Sequence, residues 1–142
     1  MEKKIQKMFI DEGLGFKVRL FNVPMIKVRG LWTPHINYNE LAKVVLLALC
    51  HNPALLSGAE VHFIRQQLWM TLQAFAARFC VTHVAVIKWE KAGNKPTPMA
   101  WSTEKDLRLF ILSKLVPKPI EIAKLYNELE KERAESGPAI DI

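Results

Sequence analysis

The sequence predicts a mainly α fold: a five-helix-type body, a short N-terminal β-ribbon ahead of it and a C-terminal tail helix behind. Three observations carry that expectation. Through residues 37–116 apolar side chains recur at helical spacing, with Asn37, Ser57, Thr71 and Thr82 placed to cap successive helices. Ahead of this body, Phe16–Phe21 alternates apolar and basic residues, the period of a half-exposed strand. Behind it, Pro117 and Pro119 close the body and a charged amphipathic stretch follows. The chain divides accordingly into an arm and ribbon (1–36), a helical domain (37–116), and a charged helix with a disordered tail (117–142).

A chain of 142 residues, 50% apolar and 24% charged, is long enough for one packed core. The longest apolar run, Val44–Cys50 between Lys43 and His51, is far short of the roughly 20 residues of a membrane helix. The start, MEKKIQKMFIDEG, is basic without an apolar signal core, and two cysteines read as free thiols, so a cytoplasmic location is expected. The net charge of +6 is uneven. Residues 1–56 and 57–115 each carry 8 Lys/Arg against 4 Asp/Glu, whereas 116–142 carries 4 against 6. That balance favours a polyanionic partner, because Lys and Arg displace the counterions condensed on nucleic acid.

Taken in order, residues 1–13 read as a loose arm or a short helix. Phe16–Phe21 and Met25–Gly30 form two antiparallel strands broken at Asn22-Val23-Pro24, and Trp32-Thr33-Pro34 is loop. Asn37 caps a helix from Tyr38 to about His51, with Glu40 completing a capping box. Leu41, Val44, Val45, Leu47, Ala48 and Leu49 make that helix apolar on most sides, so it is expected to be largely buried. Asn52-Pro53 ends it. Ser57-Gly58-Ala59-Glu60 is a second capping box, and the helix behind it presents Val61, Ile64, Arg65 and Leu68 on one face. Gly93-Asn94-Lys95-Pro96 is a loop, and Thr97-Pro98 opens a last core helix with Leu107, Phe110, Ile111 and Leu115 at helical spacing. Ile120–Arg133 forms the tail helix, with Ile122, Leu125, Tyr126 and Leu129 as its apolar stripe, and Ser136–Ile142 is expected to be disordered.

The informative stretch is Thr71–Ala92. Thr71 caps a short helix with Leu72, Phe75, Ala76 and Phe79 inward, Cys80-Val81 turns, and Thr82 caps a second helix from His83 to Lys91. In the second helix Val86 and Trp89 share one face, while His83, Val84 and Lys88 lie on another. An apolar inner face and an uncharged, hydrogen-bonding outer end suit base edges, so the pair reads as a helix-turn-helix whose second helix enters the major groove.

This block resembles the Xre/Cro-type helix-turn-helix family. Arg65, Leu68, Met70, Thr71, Phe75, Ala76, Phe79, Val81, Thr82, Val86, Trp89 and Glu90 fall in register with its pattern. The resemblance implies an ion pair between Arg65 and Glu90. It departs at Leu72, where the family usually has Gln (here Gln73 follows), and at Cys80, where it usually has Gly at a positive-φ turn. The front segment NVPMIKVRGLW and the link from Asn37 to Leu56 resemble MqsA/YgiT-type antitoxins, without the zinc-ribbon cysteines.

The expected DNA-contacting set is Thr71, Gln73, Thr82, His83, Val84, Ala85, Lys88, Lys91 and Lys95. Within it, His83 and Lys88 read bases, Val84 meets a thymine methyl, and Lys91 and Lys95 contact phosphates. Cys50/His51 and Cys80/His83 fall on different elements, so no metal site is expected, and no catalytic motif or cofactor loop is present. Trp32, Trp69 and Trp101 read as packing or interface residues. The sequence therefore points to a transcriptional regulator acting as a homodimer on an inverted-repeat duplex. The resemblance adds antitoxin-like autorepression and a cognate toxin. The rival is a protein-interaction module, with DNA binding secondary or lost.

Overall fold

The computed structural model describes residues 2–130 and 140–142. It corrects the mainly α expectation: among the described residues six helices accompany a four-stranded sheet, a mixed α/β architecture that is 48% helical. Among the described residues no helix is long and apolar enough to cross a membrane.

The larger difference lies in the front. Residues read as an arm form a nine-residue strand, β1 (Lys3–Asp11), antiparallel to β2 (Val18–Val28). The expected break at Asn22-Val23-Pro24 is instead the middle of β2. Asn22 sits at φ 54, a left-handed conformation that Asn tolerates. Across it the inward set switches from Val18 and Leu20 to Val23 and Met25, so the strand changes face without ending. The Pro24 carbonyl accepts from His35 N–H at 2.8 Å. Pro24 has no N–H to return to the His35 carbonyl, and the β2–β3 register ends at Met25–Pro34.

Trp32-Thr33-Pro34, expected as loop, lies in β3 (Leu31–Pro34). Arg29 and Gly30, at φ 51 and 80, supply the two positive-φ positions of a two-residue hairpin turn between Val28 and Leu31. The expected disordered end also contributes: β4 (Ile140–Asp141) runs parallel to β2, with Arg19 Nε 2.6 Å from Asp141 Oδ1. The remainder of that stretch, 136–139, lies outside the described residues.

Six helices follow. α1 (Tyr38–Cys50) starts at Asn37, whose carboxamide oxygen accepts from Asn39 and Glu40 N–H; the expected reciprocal bond from Glu40 is not formed. Its Leu41, Val45 and Leu49 are buried, but Val44 and Leu47 face outward, so this helix is amphipathic and not buried all round. α2 (Gly58–Gln67) carries the capping box in full, α3 is Leu72–Arg78 and α4 is His83–Lys91. α5 (Trp101–Leu115) begins four residues after Thr97, which is buried and accepts from Met99 N–H. α6 (Pro119–Glu128) buries Leu125 and half-buries Ile122, Leu129 that caps its end is also buried, and Tyr126 is exposed. Residues 131–133 of the expected tail helix lie outside the described residues.

One apolar cluster joins all three segments: Val18 and Met25 from the sheet, Val45 and Leu49 from α1, Ile64, Phe75 and Val86 from α2–α4, Ile111 from α5 and Leu129 from α6. Phe16, in the link between β1 and β2, meets Phe63 of α2 edge-on at 5.3 Å.

Candidate nucleic-acid interface

α3 and α4 are joined by four residues, 79–82. Thr71 Oγ1 accepts from Ala74 N–H at 3.0 Å and Thr82 Oγ1 from Ala85 N–H at 3.2 Å, so each helix starts on a threonine cap, as expected. α3 ends with Cys80 N–H donating to Ala77 O and Val81 N–H to Ala76 O. These are the two bonds of a Schellman closure, with Cys80 in the left-handed position at φ 57. The turn therefore keeps positive φ although Cys80 carries a Cβ, which costs about 1–2 kcal/mol. The thiol is exposed, so little packing would be lost with it. Cys80→Gly is expected to leave stability equal or up to about 1 kcal/mol higher, after the entropy gained by the unfolded chain. Chemical denaturation measures this; a loss above about 1 kcal/mol would count against a strained turn.

α4 buries Val86 and Trp89 and turns His83, Val84 and Lys88 to solvent. Thr71, Gln73, Thr82, Lys91 and Lys95 are also exposed, and Ala85 is half-buried. Lys88, Lys91 and Lys95 form no ion pair with an acidic group among the described residues. The outer side of α4 and the following loop is thus a basic surface around an uncharged patch led by Thr82, His83 and Val84.

Two devices on α2 hold α4. The first is an ion-pair cluster. Arg65 grips the Glu90 carboxylate with two bonds, Nε to Oε2 at 2.7 Å and Nη2 to Oε1 at 3.0 Å. It also donates from Nη1 to Met70 O at 3.1 Å, which ties the α2–α3 link to the last turn of α4. The pair inferred from the resemblance is formed, but His62, which the sequence reading missed, is its third member through Nδ1 and Glu90 Oε1. Burial pushes the Glu90 carboxyl up; bonds from Arg65 and His62 outweigh it and hold it below its ordinary value. A lowered carboxylate stabilises above its unfolded pKa, and that contribution is lost as pH falls through the folded one. The stability gap between wild type and Glu90→Gln should therefore narrow from about pH 5 to pH 3. Urea midpoints across that range test it, and a constant gap would show that Glu90 titrates normally.

The second device is a close backbone approach. Gly58 N–H donates to Lys95 O at 3.2 Å and Ala59 N–H to Gly93 O at 2.9 Å, so the first turn of α2 is closed by the loop that leaves α4. A third anchor was also missed: Arg78 of α3 forks onto Asp106 of α5 at 2.9 and 3.2 Å, with its guanidinium 4.4 Å from the Phe110 ring centre.

Cys50 and Cys80 are not brought together: Cys50 is buried, donates to Leu46 O, and burial pushes its thiol up to about 12. Among the described residues no group of three or more His, Cys, Asp or Glu is placed to hold a metal ion. No protein-family model, curated protein or solved structure matches the chain.

Proposed function

We propose that this chain is a sequence-specific DNA-binding transcriptional regulator of the helix-turn-helix type, with α4 as its recognition helix. The observation that carries the reading is the two-sidedness of α4. Val86 and Trp89 anchor it, Arg65 and Gly58 fix its end, and His83, Val84 and Lys88 are left outward beside a threonine cap. Ring nitrogens, an ammonium and a methyl-bearing side chain match the acceptors and thymine methyl of the major-groove edge. Lys91 and Lys95 flank them as phosphate ligands. One such helix covers half a site, so a homodimer on an inverted repeat completes the reading. Autorepression of an antitoxin type rests on the sequence resemblance.

Selection of bound duplexes from a random library tests the proposal. The expected product is an inverted repeat with half-sites about 34–36 Å apart. On that duplex His83→Ala and Lys88→Ala should each cost about 1–3 kcal/mol and relax discrimination. Lys95→Ala should weaken all sequences alike and lower the salt slope by about one. Full affinity in both His83→Ala and Lys88→Ala would remove α4 as the reading helix.

A protein-interaction module is the second reading, and one observation favours it. The outer face of the sheet leaves Ile5, Met8 and Ile10 of β1 and Phe21 of β2 exposed, and among the described residues no strand pairs with the outer edge of β1. Such an edge accepts an added strand from a partner such as a toxin protein.

A further inference from the structure

The most exposed large apolar side chain among the described residues is Trp69, at 94%. Its neighbours Leu68 and Met70 both turn inward against the core, so the fold uses the residues on either side and leaves this ring out. Its backbone is equally unusual. α2 closes with Trp69 N–H on Gln66 O at 3.0 Å and Met70 N–H on Arg65 O at 3.2 Å, which puts Trp69 at the left-handed position, φ 56. Glycine adopts that conformation without strain and tryptophan does not. The helix closure requires a positive φ at this residue, yet the residue there is a tryptophan whose ring packs against nothing among the described residues.

The backbone that carries the ring is held in place. Both closing bonds fix the Trp69 backbone, and the Met70 carbonyl is held by Arg65, itself clamped on Glu90 at the end of α4. Two residues on, Thr71 caps α3, the helix that crosses the sugar–phosphate backbone when a helix-turn-helix seats its second helix in the groove. An indole offers an apolar face and a single N–H donor. The groove wall offers apolar deoxyribose faces and phosphate acceptors.

We propose that Trp69 is a DNA-backbone contact: its ring packs on the deoxyribose wall flanking the groove that α4 enters, with Nε1–H donating to a phosphate. The assignment rests on the DNA-binding reading of α4. It makes Trp69 a source of affinity without sequence preference and without charge.

The test uses the full chain, the duplex that wild type selects from a random library, and an unrelated duplex of equal length. Trp69→Gly should weaken binding to both about tenfold, with the salt slope unchanged, because an indole neutralises no phosphate. Its melting temperature should hold or rise, since glycine relieves the positive φ. Trp69→Phe, which keeps an apolar face and loses the donor, should recover part of the affinity. Wild-type binding by Trp69→Gly, with His83→Ala impaired on the selected duplex, overturns the Trp69 contact and leaves the recognition helix standing. A fall in the melting temperature of Trp69→Gly makes the ring structural and also overturns it. Failure of wild type to bind any duplex overturns the DNA-binding reading, and this contact with it.

Discussion

Replacing Arg108 with Ala should remove about 3–5 kcal/mol of folding stability, the usual cost of stranding one member of a buried ion pair. Arg108 is fully buried in α5. Its Nε and Nη2 reach Glu104 Oε2 at 3.2 and 2.9 Å, one turn back on the same helix. The remaining donors go to backbone carbonyls at and just past the end of α1: Nη1 to Cys50 O at 3.4 Å and Asn52 O at 2.6 Å, Nη2 to Ala54 O at 2.6 Å. Glu104 Oε1 in turn accepts from Leu56 N–H at 3.2 Å. One guanidinium therefore closes the α1–α2 connection against α5, and every N–H it carries is used. Removing it leaves a buried carboxylate and three underbonded carbonyls, against a total stability of about 5–15 kcal/mol for an ordinary domain. Urea denaturation measures the loss. Glu104→Leu/Arg108→Met should recover only part of it, because the carbonyls stay unpaired when the charges are gone. Full recovery would locate the whole cost in the charge pair.

That network was not legible in the sequence. Glu104 and Arg108 stand at i, i+4, a spacing that exposed helix pairs share, and their partners lie about fifty residues upstream, where no local pattern marks them. Local signals did well where the physics is local. The threonine caps at Thr71 and Thr82, the Ser57 box, and the inward Val86 and Trp89 follow from hydrogen-bond reach and helical period alone. They failed where a local turn signal serves a long-range pairing. Asn22 and Pro24 carry loop chemistry, yet β1 and β3 pair on either side and keep the segment a strand. Lys3, Lys4 and Lys7 obscured β1, since an edge strand tolerates charge that a helix reading also accepts. In the candidate site, exposure of His83, Val84 and Lys88 follows from periodicity, whereas His62, Gly58 and Trp69 act through contacts or exposure that only the assembled helices reveal.

Gly58→Ala should destabilise the chain by about 1–3 kcal/mol, the range for overpacking, and, on the proposed DNA-binding reading, weaken binding of the selected duplex beyond that loss. A Cβ built on Gly58 lies 2.5 Å from Trp89 O, 2.6 Å from Gly93 N and 2.7 Å from Glu90 O, all backbone atoms. No rotamer change relieves such contacts. Carbon at ordinary separation stands about 3.5–4.0 Å from its neighbours, so α2 and α4 must part by roughly 1 Å. Parting strains the bonds from Gly58 and Ala59 to the Lys95 and Gly93 carbonyls, and the Arg65–Glu90 grip beyond them. Alanine's better helix propensity, at most about 1 kcal/mol over glycine, acts in the opposite direction and sets the lower end of the range. The functional consequence follows from what moves: these are the last residues of α4, so the helix pivots at its end and His83 and Lys88 are re-aimed. Affinity for the selected duplex should fall while non-specific binding, carried by exposed lysines, changes little. Equal losses on selected and unrelated duplexes, with the fold intact by circular dichroism, would mean that the end of α4 does not set the aim of its reading face.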